Sequence, residues 1–141
     1  MSTEKSYHEY LEHYFEDRPA LQHFGECFVK AVFDPSITRF LDAYKGKGNP
    51  RFAEAVKQYI ETFSDTQLDS LEELTKAIIY DTLSAMLDMF VLYPEMSITV
   101  EQDGKKIDIL EISDSFCNDM LGEDGCIEMF SKYADDFIEQ S

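Results

Sequence analysis

Tryptophan is absent from this 141-residue chain, and glycine (six), proline (four) and cysteine (three) are sparse. So little glycine and proline leaves no low-complexity tract, and neither a linker nor an internal repeat stands out. Cys27, Cys117 and Cys126 are odd in number and show no C-x-x-C spacing, so they read as reduced thiols of a cytoplasmic protein rather than a disulfide frame or a zinc site. No apolar run approaches the roughly 20 residues of a membrane span, and the polar start MSTEKSYHEY predicts no secretory signal. A G-x-S-x-G elbow and a glycine-rich phosphate loop are both missing, which removes the commonest sequence signs of nucleophilic and nucleotide chemistry.

Positive charge is the scarcest commodity. Twelve Lys and Arg face 29 Asp and Glu, a net charge of −17 and a pI near 4.3. Residues 1–63 hold ten acids and eight bases, net −2; residues 64–141 hold nineteen acids and four bases, net −15. Binding to a nucleic-acid backbone needs a basic face that the second half lacks, and anionic membrane surfaces are disfavoured for the same reason. A basic protein partner, or solubility alone, is what such a balance serves.

Hydrophobic residues make up 44% of the chain, and eight Tyr and eleven Phe bring aromatics to 13%. That is enough to bury a core, and the length suits a single domain over residues 1–141. Helix punctuation recurs. Ser6 with Glu9 fits a capping box ahead of Tyr7, Leu11 and Tyr14. Asp17-Arg18-Pro19 opens a helix with Leu21, Phe24, Phe28 and Val32 on one face. Asp34-Pro35 opens another, carrying Ile37, Phe40, Leu41 and Tyr44, which Lys45-Gly46-Lys47-Gly48 ends. Asn49-Pro50 opens a fourth, with Phe52, Val56, Tyr59, Ile60 and Phe63 inward.

Capping boxes at Ser64–Gln67 and Ser70–Glu73 precede a long central helix up to Pro94. Leu71, Leu74, Ile78, Thr82, Ala85, Met86 and Met89 form one stripe, and Leu83, Leu87, Phe90, Val91 and Leu92 widen the apolar surface nearly all round. A helix of that kind is expected to be covered by its neighbours. The period then drops to two: Ile98–Gln102, Asp103-Gly104 and Lys105–Ile109 read as a type I′ hairpin pairing Gln102 with Lys105, Glu101 with Lys106, Val100 with Ile107 and Ile98 with Ile109. Ser113 or Asp114 caps a short helix ending at Gly122, and a last helix after Gly125 turns Ile127, Phe130, Ala134, Phe137 and Ile138 inward. The expectation is an α+β fold, mainly helical, with six or seven helices and one β-hairpin near 97–110.

Chemistry-bearing residues form no complete set. His8 with Glu12, Glu9 with His13, and His23 with Cys27 are each i,i+4 pairs, two ligands where zinc takes four. Acids flanking Cys117 and Cys126 raise rather than lower a thiol pKa. The carboxylates Asp108, Glu111, Asp114, Asp119, Glu123, Asp124 and Glu128 match no EF-hand spacing. They are instead the candidate contacts for a basic partner, and no metal or cofactor is expected. Two other classes stay open: an adaptor or homodimer docking through Tyr7, Tyr10 and Tyr14, and a metal-dependent enzyme using the grouped acids.

The stretch SDSFCNDMLGEDGCIEMFSKY (113–133) is similar to the C-terminal part of small bacterial proteins, and a small acidic chain without catalytic motifs resembles bacterial proteins of the toxin-immunity type. Such proteins share no common motif, so the resemblance implies a non-enzymatic inhibitor that covers a basic cleft, for instance that of a nuclease toxin, and carries over no individual residue.

Overall fold

A computed structural model describes residue 10 and residues 13–138. The Ser6–Glu9 capping box, Tyr7, Leu11, the His8–Glu12 and Glu9–His13 pairs and the side chain of Ile138 lie outside the described residues. The chain forms a mainly helical α+β domain. Helices α1 (Pro19–Phe28), α2 (Asp34–Tyr44), α3 (Pro50–Ile60) and the 28-residue α4 (Asp65–Leu92) come first. The strands β1 (Thr99–Gln102) and β2 (Lys105–Asp108) follow, and then the short helices α5 (Ile109–Ile112), α6 (Phe116–Leu121), α7 (Cys126–Phe130) and α8 (Asp135–Ile138).

The hairpin takes the expected register, Gln102 opposite Lys105, Glu101 opposite Lys106 and Val100 opposite Ile107. Asp103 and Gly104 both have positive φ (53° and 78°), as a type I′ turn requires. Ile109 still donates its N–H to the Ile98 carbonyl at 3.1 Å. The strand stops there because the Asp108 side chain accepts from Leu110 N at 3.0 Å and so caps α5, a helix the strand pattern conceals.

The helix boundaries depart from the expected ones for traceable reasons. Asn49 caps α3, accepting from Arg51 N and Phe52 N, and Ser64 with Gln67 forms a full capping box on α4, whereas Ser70 and Glu73 fall inside that helix. Asp34-Pro35 makes no break. The backbone runs helically from α1 into α2 through a π-helical segment, Val29–Phe33. Pro35 has no N–H to give the preceding turn, and a wider i→i+5 turn absorbs that loss. Freed from capping, the Asp34 carboxylate accepts from Ser131 Oγ at 2.5 Å and Lys132 N at 3.0 Å. That clasp bends the chain after Phe130, and the single last helix expected after Gly125 becomes α7 and α8. Neither Ser113 nor Asp114 caps α6; Ser115 occupies that position without a side-chain bond.

The core gathers Leu21, Val29, Phe33 and Ile37 from the α1–α2 run, Leu87 from α4, Ile109 from α5, and Met120, Cys126 and Ile127 from the short helices. α1 packs on α7 at Gly25, where a Cβ would lie 2.1 Å from Cys126 Sγ; only glycine allows that approach. α4 leans on α2 and α6. Its buried side is Thr75, Lys76 and Leu87, with Ile79, Tyr80 and Leu83 half-buried. Tyr44 and Thr75 share a hydroxyl–hydroxyl bond of 2.7 Å, Tyr80 donates to the Leu121 carbonyl at 2.9 Å, and Lys76 reaches Glu73 (3.0 Å) and Asp136 (3.3 Å).

A further sequence expectation is overturned on α4. The stripe Leu74, Ile78, Thr82, Ala85, Met86 and Met89 faces solvent, as do Val91 and Leu92. The apolar residues of α4 occupy two faces, and only the one centred on Ile79, Leu83 and Leu87 meets the core. Tyr59, Phe63 and Val32, expected inward, are also exposed.

Candidate acidic docking surface

Residues 108–128 leave the hairpin, turn through α5 and α6 and enter α7 without one Lys, Arg or His. Short helices and tight turns keep successive carboxylates near one another. Two open clefts meet at Asp114 and Ser115. One, about 550 Å³, is lined by Asp88, Asp108, Glu111 and Asp114 together with Phe90, Val91, Pro94 and Phe116. The other, about 380 Å³, is lined by Asp114, Asp119, Glu123 and Asp124 with Tyr10, Tyr14 and Phe15. Seven carboxylates thus border the joined clefts and, among the described residues, no basic side chain does. A third cleft, about 580 Å³, between α2, α3 and the start of α4, mixes Lys57 with Glu54 and Glu61 and has no single sign.

The candidate acids differ in their freedom. Glu111, Asp114, Glu123 and Asp124 are exposed. Asp108 is half-buried and engaged in capping α5. Glu128 is half-buried and accepts from Asp124 N at 2.5 Å, holding Asp124 at its positive φ of 60°. Asp119 is buried. Its carboxylate accepts from Tyr14 Oη at 2.6 Å and from the Ser113 hydroxyl. It is a brace beneath the surface rather than a contact on it. The seventh lining acid, Asp88, comes from α4, and its sequence neighbourhood carries no sign of that position.

Beneath the clefts lies a hydrogen-bonded frame. Tyr14 Oη donates to Asp119 and accepts from Asp114 N at 2.9 Å. Tyr10 donates to the Asp114 carboxylate. Arg18 sits over the Tyr14 ring, 4.0 Å from its centroid, and donates to the Ile112 and Tyr14 carbonyls at 2.8 and 3.0 Å. Its guanidinium also lies 3.5 Å from Tyr10 Oη and ties the turn before α1 to the end of α5. Burial pushes the Tyr14 hydroxyl up to about 12. Burial also raises Asp119 above the ordinary carboxylate value, although Ser113 and Tyr14 pull the other way. Of the tyrosines weighed as an interface, Tyr14 is core, Tyr10 is partly exposed and Tyr7 lies outside the described residues.

Nucleophilic and metal chemistry find few tools here. Burial pushes the Cys117 thiol up to about 12, and its 2.9 Å bond to Asp88 adds to the rise. Cys126 is likewise pushed up to about 12, by burial first and Asp119 second. Cys27 and His23 touch at 3.8 Å on the exposed side of α1. Among the described residues, no three of His, Cys, Asp and Glu gather as a metal-ligand set, and no helix is long and apolar enough to cross a membrane. Comparison with protein-family models, with curated proteins and with solved structures returns no match.

Proposed function

We propose that this chain is a non-enzymatic binding protein whose acidic end docks on a basic surface of a partner protein, in the manner of an immunity protein that covers the cleft of a toxin such as a nuclease, and that it works in the cytoplasm. The observation that carries the reading is the pair of clefts that meet at Asp114 and Ser115, lined by seven carboxylates and, among the described residues, by no base. Carboxylates crowded on one side repel one another, and a Lys- or Arg-rich partner relieves that repulsion while its approach is steered by the field. Apolar side chains that line the larger cleft, Phe90, Val91 and Phe116, supply area to exclude water around the charged contacts. The frame of Tyr14, Asp119 and Arg18 sets the surface in place before a partner arrives, which cuts the ordering cost of binding. Glu111, Asp114, Glu123 and Asp124 make the contacts; Asp108, Asp119 and Glu128 position them.

Affinity capture from the native host at low and at high salt tests this. A basic polypeptide retained at low salt, released at high salt and lost when Glu111, Asp114, Glu123 and Asp124 are all changed to Lys is the expected result. Equal retention by the quadruple variant would remove the acidic end as the binding site.

A further inference from the structure

The outward face of α4 has a pattern that neither the core nor the acidic end uses. Ile78, Ala85 and Leu92 recur at intervals of seven residues, with Thr82 and Met89 interleaved four after the first two, and all five are exposed. This is the heptad seam of paired helices. Leu74 and Met86 flank it. Leu74 and Ile78 are each 55% exposed, Met86 42%, Met89 37% and Leu92 72%. The helix also carries six acids, Asp65, Asp69, Glu72, Glu73, Asp81 and Asp88. At 3.6 residues per turn Asp65, Asp69, Glu72 and Glu73 project more than about 100° away from the line through Ile78, Ala85 and Met89, while Asp81 and Asp88 border it on the side of Leu74 and Leu92. A chain of net charge −17 thus keeps one long strip of its surface neutral.

We infer that this strip is the seam through which two copies of the chain pair. Large side chains expose roughly 150–250 Å² each when free, so the strip with Tyr93 presents about 600 Å² of apolar surface. That is at the upper edge of the ~300–600 Å² patches of monomers and near the ~800 Å² per partner of a standard interface. The small Thr82 and Ala85 lie at its middle, with Ile78 and Met89 on either side. Two such strips bring their backbones close at the centre and fill the ends with long side chains. A second copy suits this surface because it offers the same uncharged centre and keeps its own acids, Asp81 and Asp88 nearest, at the margin. A strongly charged partner would find nothing there to read.

The two interactions answer salt in opposite ways. Screening weakens attraction between the acidic end and a basic partner, but it relieves repulsion between two −17 chains and so strengthens the pair. Sedimentation of the full chain from low to high micromolar concentration is the test, with Ile78→Glu/Met89→Glu as the seam variant and Tyr59→Glu, also on an exposed residue but outside the seam, as the control. The expected result is twice the 16.3 kDa chain mass, tighter at higher salt. The seam variant should lose affinity by roughly 100-fold or more, since it buries charge without a partner, and Tyr59→Glu should leave the pair intact. Unchanged helical circular dichroism of the dilute seam variant shows that the fold survives. A wild-type chain that stays monomeric throughout, or a dimer that persists in the seam variant, would overturn the inference.

Discussion

The acidic end and the outward face of α4 are both exposed, yet they are built in opposite ways. At the acidic end, surface carboxylates stand on a buried frame in which Tyr14, Asp119, Ser113 and the Asp114 backbone satisfy one another. Altering a residue there disturbs the fold as well as the surface. On α4, the outward side chains add almost nothing to the fold, because the inward ones, Leu87 above all, do the packing. A braced surface presents fixed charges to a partner. An unbraced apolar one gains its contacts only when something covers it.

Gly25 is the sharpest point at which to break that contrast, because it seats α1 against α7 and so holds the acidic end to the core. Gly25→Ala places a methyl 2.1 Å from Cys126 Sγ and 2.9 Å from its Cβ. The helices must part, at about 1–3 kcal/mol for overpacking of this kind. Denaturant unfolding should show the loss, and Cys126→Ala in the same chain should recover part of it by removing the sulfur while leaving the Cβ. Full stability of Gly25→Ala would mean that α7 moves freely and that the acidic end is not braced from this side.

A smaller effect is expected at Tyr14. Tyr14→Phe keeps the ring under Arg18 but deprives the Asp119 carboxylate of a donor and Asp114 N of an acceptor. A buried polar group left unpaired costs about 1–3 kcal/mol, which for a domain of this size moves the melting temperature by ~3–10 °C. A melting curve unchanged by Tyr14→Phe would show that the frame does not hold the acids.

Much of this architecture is legible in the residues. The Asp103-Gly104 turn and its register, the Asn49 cap and the Ser64–Gln67 box are decided within a few residues by local chemistry, and each stands where the sequence places it. Asp34 shows the limit. It has the form of a helix cap, but its partners are Ser131 and Lys132, nearly a hundred residues away, and no local pattern carries that. α4 shows another limit. Periodicity finds both of its apolar faces and does not say which meets the core; that choice belongs to α2 and α6, which cover only one. At the acidic end, the run without a base marks the region, while the separation of free acids from the braced Asp119, and the arrival of Asp88, depend on tertiary packing.

Asp119 supplies the finest distinction between a braced acid and a free one. Burial raises its pKa above that of the unfolded chain, so the native state takes up its proton first as the pH falls. By linkage, the native state then gains stability on acidification through the raised value, and the gain is complete below the ordinary carboxylate pKa; on the way back up it is lost as the pH passes the folded value. Relief of repulsion among the other acids acts in the same direction, so a stability–pH curve of the wild type alone cannot separate the two. Asp119→Asn can. Its amide oxygen still accepts from Tyr14 and Ser113, and it carries no charge at any pH, so the general relief remains while the contribution of Asp119 disappears. The variant should be close to the wild type in stability at neutral pH or slightly above it, and the difference should move in favour of the wild type as the pH falls through the raised Asp119 value. If the difference between Asp119→Asn and the wild type stays constant as the pH falls, the frame does not distinguish a buried carboxylate from one in water, and the contrast between the two surfaces loses its physical basis.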